Sequence, residues 1–308
     1  MAATNCTANT SRRHQFAFSS SGATTLSHRI AALGFGLRST TNYAKDEGVN
    51  GAIHSRTEDY AIDKTMVSGP VSFNVRPSDM RWALPLILGT AFSTNTIKSG
   101  APCPFFRCGQ LDSVVATMFT YIDCIVGKAT FSSSDAMGGL LQLALDIEAA
   151  SSAQAAAAGW PVMSLATQPP LTHSLATLTV NGNTRRIKDV SVVIDNMLMT
   201  DQFFNSRYRE DFPSDGQLIQ LIHTSPFDDA DDLAFTNLTG DVSAELVYTA
   251  PGLSMTFTFP ALRYIAPEPE VGGKGSRSLL QCTWEACLPT AAVLGTDSAM
   301  TITLDDTP

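Results

Sequence analysis

Charge is scarce in this chain. Only 16% of its 308 residues are Asp, Glu, Lys or Arg, and the formal net charge is -9. So few cations exclude tight nonspecific binding to a phosphate backbone, which needs clustered Lys and Arg to displace counterions. Long apolar runs are missing too. None reaches the roughly 18 to 20 residues of a membrane-spanning helix, and a soluble protein is expected. Residues 1–27 are rich in Ser, Thr and Ala but have no continuous apolar segment of the secretory type. They read as an extended N-terminal arm that orders against a neighbouring subunit, with an organelle transit peptide as the alternative of similar composition.

Metal and nucleophile patterns are equally sparse. The six cysteines, at positions 6, 103, 108, 124, 282 and 287, include no CxxC and no His at zinc spacing, so reduced, partly buried thiols are expected. Cys282 and Cys287 are five apart in a strand-like run and face opposite sides of it. His14, His28, His54, His173 and His223 lie far apart, and His223 reads as a hydrogen-bonded strand histidine. Asp228, Asp229, Asp231 and Asp232 lack the glycine and closing Glu of an EF-hand and suit a capped helix start. Gly272-Gly273-Lys274-Gly275-Ser276 lacks phosphate-loop spacing, and no GxSxG occurs. No catalytic, cofactor-binding or metal-binding residue is therefore expected, and no cofactor.

What is present is a β-rich pattern that repeats. Residues 71–88 read as strand, turn and helix, and residues 218–235 echo them. Tyr121-Ile122 followed by Leu140-Leu141-Gln142 is echoed by Tyr264-Ile265 followed by Leu279-Leu280-Gln281. In the first half the pattern predicts a bent edge strand at 65–76, a helix capped by Ser78 or Asp79 and stopped by Gly89, and strands at 105–109, 114–126 and 140–147. The Ala-rich stretch 149–159 reads as a surface helix or linker, and the proline-bearing 160–170 as a domain boundary. In the second half, strands at 175–180 and 186–194 flank Asn181-Gly182 as a hairpin, and strands at 244–249 and 254–259 flank Pro251-Gly252 as another. Strands at 218–223, 278–287 and 300–304 complete the sheet. The expected organisation is an arm at 1–27, a first domain at 28–165 and a second at 166–308.

The order of motifs in the second half carries a resemblance. Val190-Ser-Val-Val-Ile-Asp-Asn-Met-Leu198, Phe203-Phe-Asn-Ser206, Asp211-Phe-Pro-Ser-Asp215 and Leu218-Ile-Gln-Leu-Ile-His-Thr-Ser-Pro-Phe227 are followed by Gly252-Leu-Ser-Met-Thr-Phe-Thr-Phe-Pro-Ala-Leu262 and by residues 300–308. Together they resemble the major tail tube protein of long-tailed bacteriophages. Gly34-Phe-Gly-Leu37 and Ser68-Gly-Pro-Val-Ser-Phe73 extend the likeness into the first half, while the Ala-rich segment and the long arm depart from it. The resemblance implies a mainly β fold of two tandem sandwich or barrel modules, each with one short helix. It implies a virion protein, not an enzyme, assembled in the host cytoplasm, whose stacked rings form a conduit for DNA ejection. Tube rings are usually hexameric, so a duplicated chain implies a homotrimer forming a pseudo-hexameric ring. The implied partners are further copies of itself, the tape measure, tail terminator and tail tip proteins, and double-stranded DNA passing without specific binding, with no membrane partner. Loops such as 41–63 would bridge rings. Two rival readings are another β-rich virion component (tail terminator, capsid decoration or baseplate subunit) and a β-sandwich hydrolase using Asp211 and Asp215.

Overall fold

Long alternating runs of apolar and small polar residues give strands whose two faces differ in burial, and these strands pair antiparallel throughout. The computed structural model describes residues 14–45, 60–100, 102–113, 115–136, 139–226, 240–270, 279–293 and 297–305. The fold is mainly β. The first half contributes β1 (His14–Ser19), β2 (Leu26–Ile30), β3 (Ala32–Phe35), β4 (Arg38–Lys45), β5 (Tyr60–Asn74), α1 (Pro77–Leu88), β6 (Thr96–Lys98), β7 (Phe106–Asp112), β8 (Thr117–Ser134) and β9 (Gln142–Ala156). The second contributes β10 (Ala176–Val180), β11 (Asn183–Arg185), β12 (Asp189–Asp195), β13 (Leu218–Pro226), β14 (Val242–Ala250), β15 (Leu253–Glu270), β16 (Leu279–Cys287) and β17 (Thr301–Asp305).

The two halves share one pairing scheme. In the first, β1 pairs β2 and β7, β7 pairs β8, β8 pairs β9, β9 pairs β5, and β5 pairs β3 and β4. In the second, β10 pairs β11 and β14, β14 pairs β15, β15 pairs β16, β16 pairs β13, and β13 pairs β12. Even the irregularities match. The β7–β8 ladder shifts where Tyr121 gives way to Cys124, and the β14–β15 ladder shifts where Phe259 gives way to Leu262. The β8–β9 ladder shifts between Val126 and Lys128, and the β15–β16 ladder between Tyr264 and Ala266. Superposing these bulges equates Tyr121 with Phe259, and Val71 with His223. The motif echo in the sequence thus has the right order but the wrong register.

A further ladder joins the halves. Residues 128–134 of β8 pair β12 along its whole length, so β3/β4, β5, β9, β8, β12, β13, β16 and the far part of β15 form one continuous row. One contiguous core runs through both halves, from Phe18, Phe73 and Phe131 to Phe257, Phe259 and Trp284. α1 rests against this core. It buries Met80, Trp82, Leu84 and Leu86 to Leu88, each worth about 1.5–3 kcal/mol relative to exposure.

Several expectations change. Residues 149–156 are not helical. Their alanines continue β9 opposite residues 117–124 of β8, because ladder bonds along a long neighbour outweigh a weak intrinsic preference for helix. They occupy the place that β17 takes beside residues 254–258 of β15. β5 is not an edge strand, since β3 and β4 flank one side and β9 the other. Pro70 is tolerated there because it turns toward the break between β3 and β4, where its carbonyl accepts from Gly36 N–H and its missing N–H removes no bond to β9. α1 is not capped by its own Ser78 or Asp79. Arg76 is the cap residue, Pro77 opens the helix, and Ser78 N–H donates to Gln168 Oε1 at 2.7 Å. Gly89 ends it as expected, with φ of 75°. The Asn181-Gly182 turn joins β10 to β11, while β12 pairs elsewhere. Within the expected arm, β1 and the start of β2 are ladder strands and Ala17 and Phe18 are fully buried, so residues 14–27 are part of the fold. The expected helix at 228–232 and the glycine-rich 272–276 lie outside the described residues.

Candidate functional site: the polar face of the shared sheet

Strand alternation gives the shared sheet one apolar face and one polar face. In β8, Ala129, Phe131 and Ser133 are buried, while Lys128, Thr130, Ser132 and Ser134 are on the opposite side. The registers align these into cross-strand rows. Gln142, Ser132, Ser191, Ile222 and Thr283 form one row, and Ser134, Asp189, Thr224 and Gln281 the next. A third holds Asp146, Lys128 and Asp195, a lysine between two carboxylates. A shallow concavity of about 510 Å³ lies over the first two rows. Hydroxyls and amides dominate, and acids outnumber the one lysine in these rows. Such a wall wets readily and offers neither the cation cluster nor the aromatic platform that holds nucleic acid.

One end of this face is covered by the segment between β12 and β13. Arg209, buried, forms an ion pair with Glu148, and its guanidinium lies 5.8 Å from the Phe212 ring centre. Asn196 fastens the segment's start. Its Nδ2 donates to Val126 O at 2.9 Å and Ile87 O at 3.2 Å, and its Oδ1 accepts from Gln217 Nε2 at 2.7 Å. Lys64 Nζ sits 4.7 Å from the Phe203 ring centre, and Thr65 N–H donates to Arg207 O. The segment is thereby held against the outer part of the β4–β5 hairpin. This region exposes Tyr43, Tyr60 and Ile62 on the hairpin, and Met197, Met199, Phe204 and Tyr208 on the segment. The bridging loop expected at 41–63 is in its described parts a paired hairpin, 41–45 against 60–65.

The histidines have structural partners. His223 is buried, and Trp284 Nε1–H donates to its Nε2 at 3.3 Å, so Nδ1 carries the proton toward Ser225 Oγ at 3.0 Å. Burial, with a smaller contribution from Arg185, lowers its pKa to about 4. His28 stacks on Trp82 with ring centres 5.2 Å apart, and His14 Nδ1 accepts from Gln110 Nε2. His54 lies outside the described residues. One contact went unread in the sequence: Ser133 Oγ is 2.8 Å from both His173 Nδ1 and Tyr248 Oη. A serine beside a histidine has the outline of a nucleophile and its base. All three groups are buried, however, and His173 Nε2 faces the Ile187 carbonyl at 3.4 Å. Ser133 therefore ties the two halves together through Tyr248, whose hydroxyl burial pushes up to about 12. No signal in the sequence pairs residues 115 positions apart.

Asp211 and Asp215 are both exposed. Asp211 Oδ1 accepts the N–H of Phe212 at 2.8 Å, a turn-forming role. Four of the five described cysteines are buried. Burial pushes the Cys103 thiol up to about 12, and holds that of Cys108 well above its ordinary value with help from neighbouring Cys124.

A family model described as phage tail tube protein matches residues 6–286. The chain belongs to the phage tail tube family. A tail tube protein is a structural component of the virion tail. No curated protein matches the chain.

Proposed function

We propose that three copies of this tail tube protein close into a ring, and that rings stack into the conduit through which DNA leaves the virion. The observation that carries this reading is the continuous row from β3/β4 to β15, to which each half contributes the same strands in the same order. Two tandem modules in one chain supply twofold of what a sixfold ring needs. Unpaired strand edges are an aggregation hazard for a single chain and become bonding surface once a ring closes. Facing the bore, the polar sheet repels phosphate with Asp146, Asp189 and Asp195, so the double helix slides without sticking.

Stacking falls to the exposed apolar cluster of Tyr43, Tyr60, Phe204 and Tyr208, because patches of this kind mark protein contacts. A head-to-tail contact of this type does not close and grows a filament, whose length and ends fall to tape measure, terminator and tip proteins in the host cytoplasm. Electron microscopy of the purified protein at rising concentration tests the reading. Hollow tubes with three chains and six similar lobes per ring are expected. Rings of six chains would remove the trimer, and closed single rings would make the protein a terminator or decoration subunit.

A further inference from the structure

Resting on that reading, we infer that a second copy of this chain docks its β3–β4 edge against the outer edge of β15, in the register of the internal β8–β12 joint, and that Pro267 and Pro269 make this joint one-directional. Among the described residues neither edge has a partner strand. The superposed bulges equate Lys128 with Ala266 and the paired stretch of β8 with residues 266–270 of β15. On the other side, β12 corresponds to residues 34–40, because Asp189 pairs β13 where Gly34 pairs β5. Ile194 lies opposite Ala129 and Val193 opposite Thr130 in the internal joint, so Ser39 falls opposite Pro267, Arg38 opposite Glu268 and Leu37 opposite Pro269.

The direction of the backbone groups follows from the hydrogen bonds that flank the ladders. Lys188 N–H donates to Thr224 O, which turns Thr224 toward β12 and its neighbours His223 and Ser225 toward β16. Opposite residues of an antiparallel ladder turn both toward or both away from each other. Cys282 therefore turns to β13, Gln281 and Thr283 turn to β15, and their partners Glu268 and Ala266 turn back to β16. The alternate positions, 267 and 269, face outward, and both are proline. At the matching positions Ala129 and Phe131 face β12, as the bonds from Asn196 N–H to Gly127 O and from Asp135 N–H to Lys188 O require. Gly36 N–H donates inward to Pro70 O, so the N–H groups of Leu37 and Ser39 turn outward on the other edge, while the Leu37 carbonyl accepts from Tyr121 Oη at 2.8 Å inside the chain. In the joint Leu37 and Ser39 donate to the carbonyls of 269 and 267, and nothing donates in return. A strand edge without donors resists casual extension by any passing strand, so free chains do not polymerise through irregular edge pairings.

Cysteine cross-linking tests the register. Arg38 and Glu268 form a non-hydrogen-bonded pair, the kind whose Cβ atoms come close enough for a disulfide. In a background with Cys6→Ser and Cys287→Ser, oxidised tubes of the Arg38→Cys, Glu268→Cys double variant are expected to run as covalent trimers, and each single variant as monomer. Tubes of the double variant that yield only monomers would overturn the joint and leave the tube reading standing. A chain that never assembles would sink both. For the prolines, Pro267→Val with Pro269→Val is expected to lower the concentration at which irregular polymers appear at least tenfold by light scattering, while circular dichroism of the dilute protein stays unchanged. An unchanged threshold in a folded variant overturns the gatekeeping role.

Discussion

In the first half, residues 128–134 of β8 have their outer side covered by β12; in the second, the matching part of β15 faces outward with two prolines. The interior positions differ as well. Where β5 has Val71, β13 has His223, and where β9 has Ile147, β16 has Trp284. Two copies of one ladder plan thus differ at their outer edges and at matching core positions. The lesson is that a ladder plan constrains where backbones meet far more tightly than it constrains which side chains fill the space between them.

That comparison can be broken in four ways. Trp284→Ala removes a large buried side chain and strands the Nε2 acceptor of His223, and is expected to cost about 3–5 kcal/mol in chemical denaturation. Because one core runs through both halves, the loss should lower a single transition seen alike by far-ultraviolet circular dichroism and by fluorescence of the remaining Trp82 and Trp160. Two resolved transitions would show that the halves fold separately. Ala129→Pro places inside the internal joint the residue that β15 has at its outer one. Its lost N–H faces β12, and a destabilisation of about 3 kcal/mol or more is expected, against a negligible effect of Pro267→Ala in the unassembled chain.

The third test uses acid. The folded pKa of His223 is depressed from 6.5 to about 4, so its contribution is full above pH 6.5 and is lost as pH falls toward 4, by about 3 kcal/mol at most. His223→Val, which gives β13 the residue of β5, should flatten stability across that window in urea titrations at several pH values. Asp79 opposes it: burial raises its pKa from 3.8 to about 6, so its cost grows as pH rises through that range. The smallest effect is expected for Asn196→Ala, about 1–3 kcal/mol, from removing the amide donor to the Val126 carbonyl and the acceptor of Gln217 Nε2, while the Ile87 carbonyl keeps Cys103 Sγ and Gln217 Nε2. A loss within error would mean that water replaces the amide there.

Much of the plan was legible in the sequence because strand alternation and turn residues act locally. Pro77 and Gly89 bracket α1, and Pro251-Gly252 turns β14 into β15. The Ala-rich stretch was misread because its side chains carry no alternation, and only the neighbouring β8 decides its conformation. Ser133 with His173 and Tyr248, and the pair Arg209 with Glu148, were invisible for a different reason. They join residues that the chain brings together only after the sheet has formed. The polar face was legible strand by strand, yet its rows depend on register, which the sequence does not print.

The alanine-rich end of β9 has one more consequence, for the order in which a ribosome delivers the strands. The first half completes the ladder along β8 by running straight on to residue 156, so those partners leave the ribosome as one uninterrupted stretch. The second half fills the same place with β17, which emerges after a detour through residues 288–300, and β17 also supplies the partner of β6. A nascent chain stalled before residue 301 therefore holds two unfinished strands, β6 in the first half and β15 in the second, each waiting for β17.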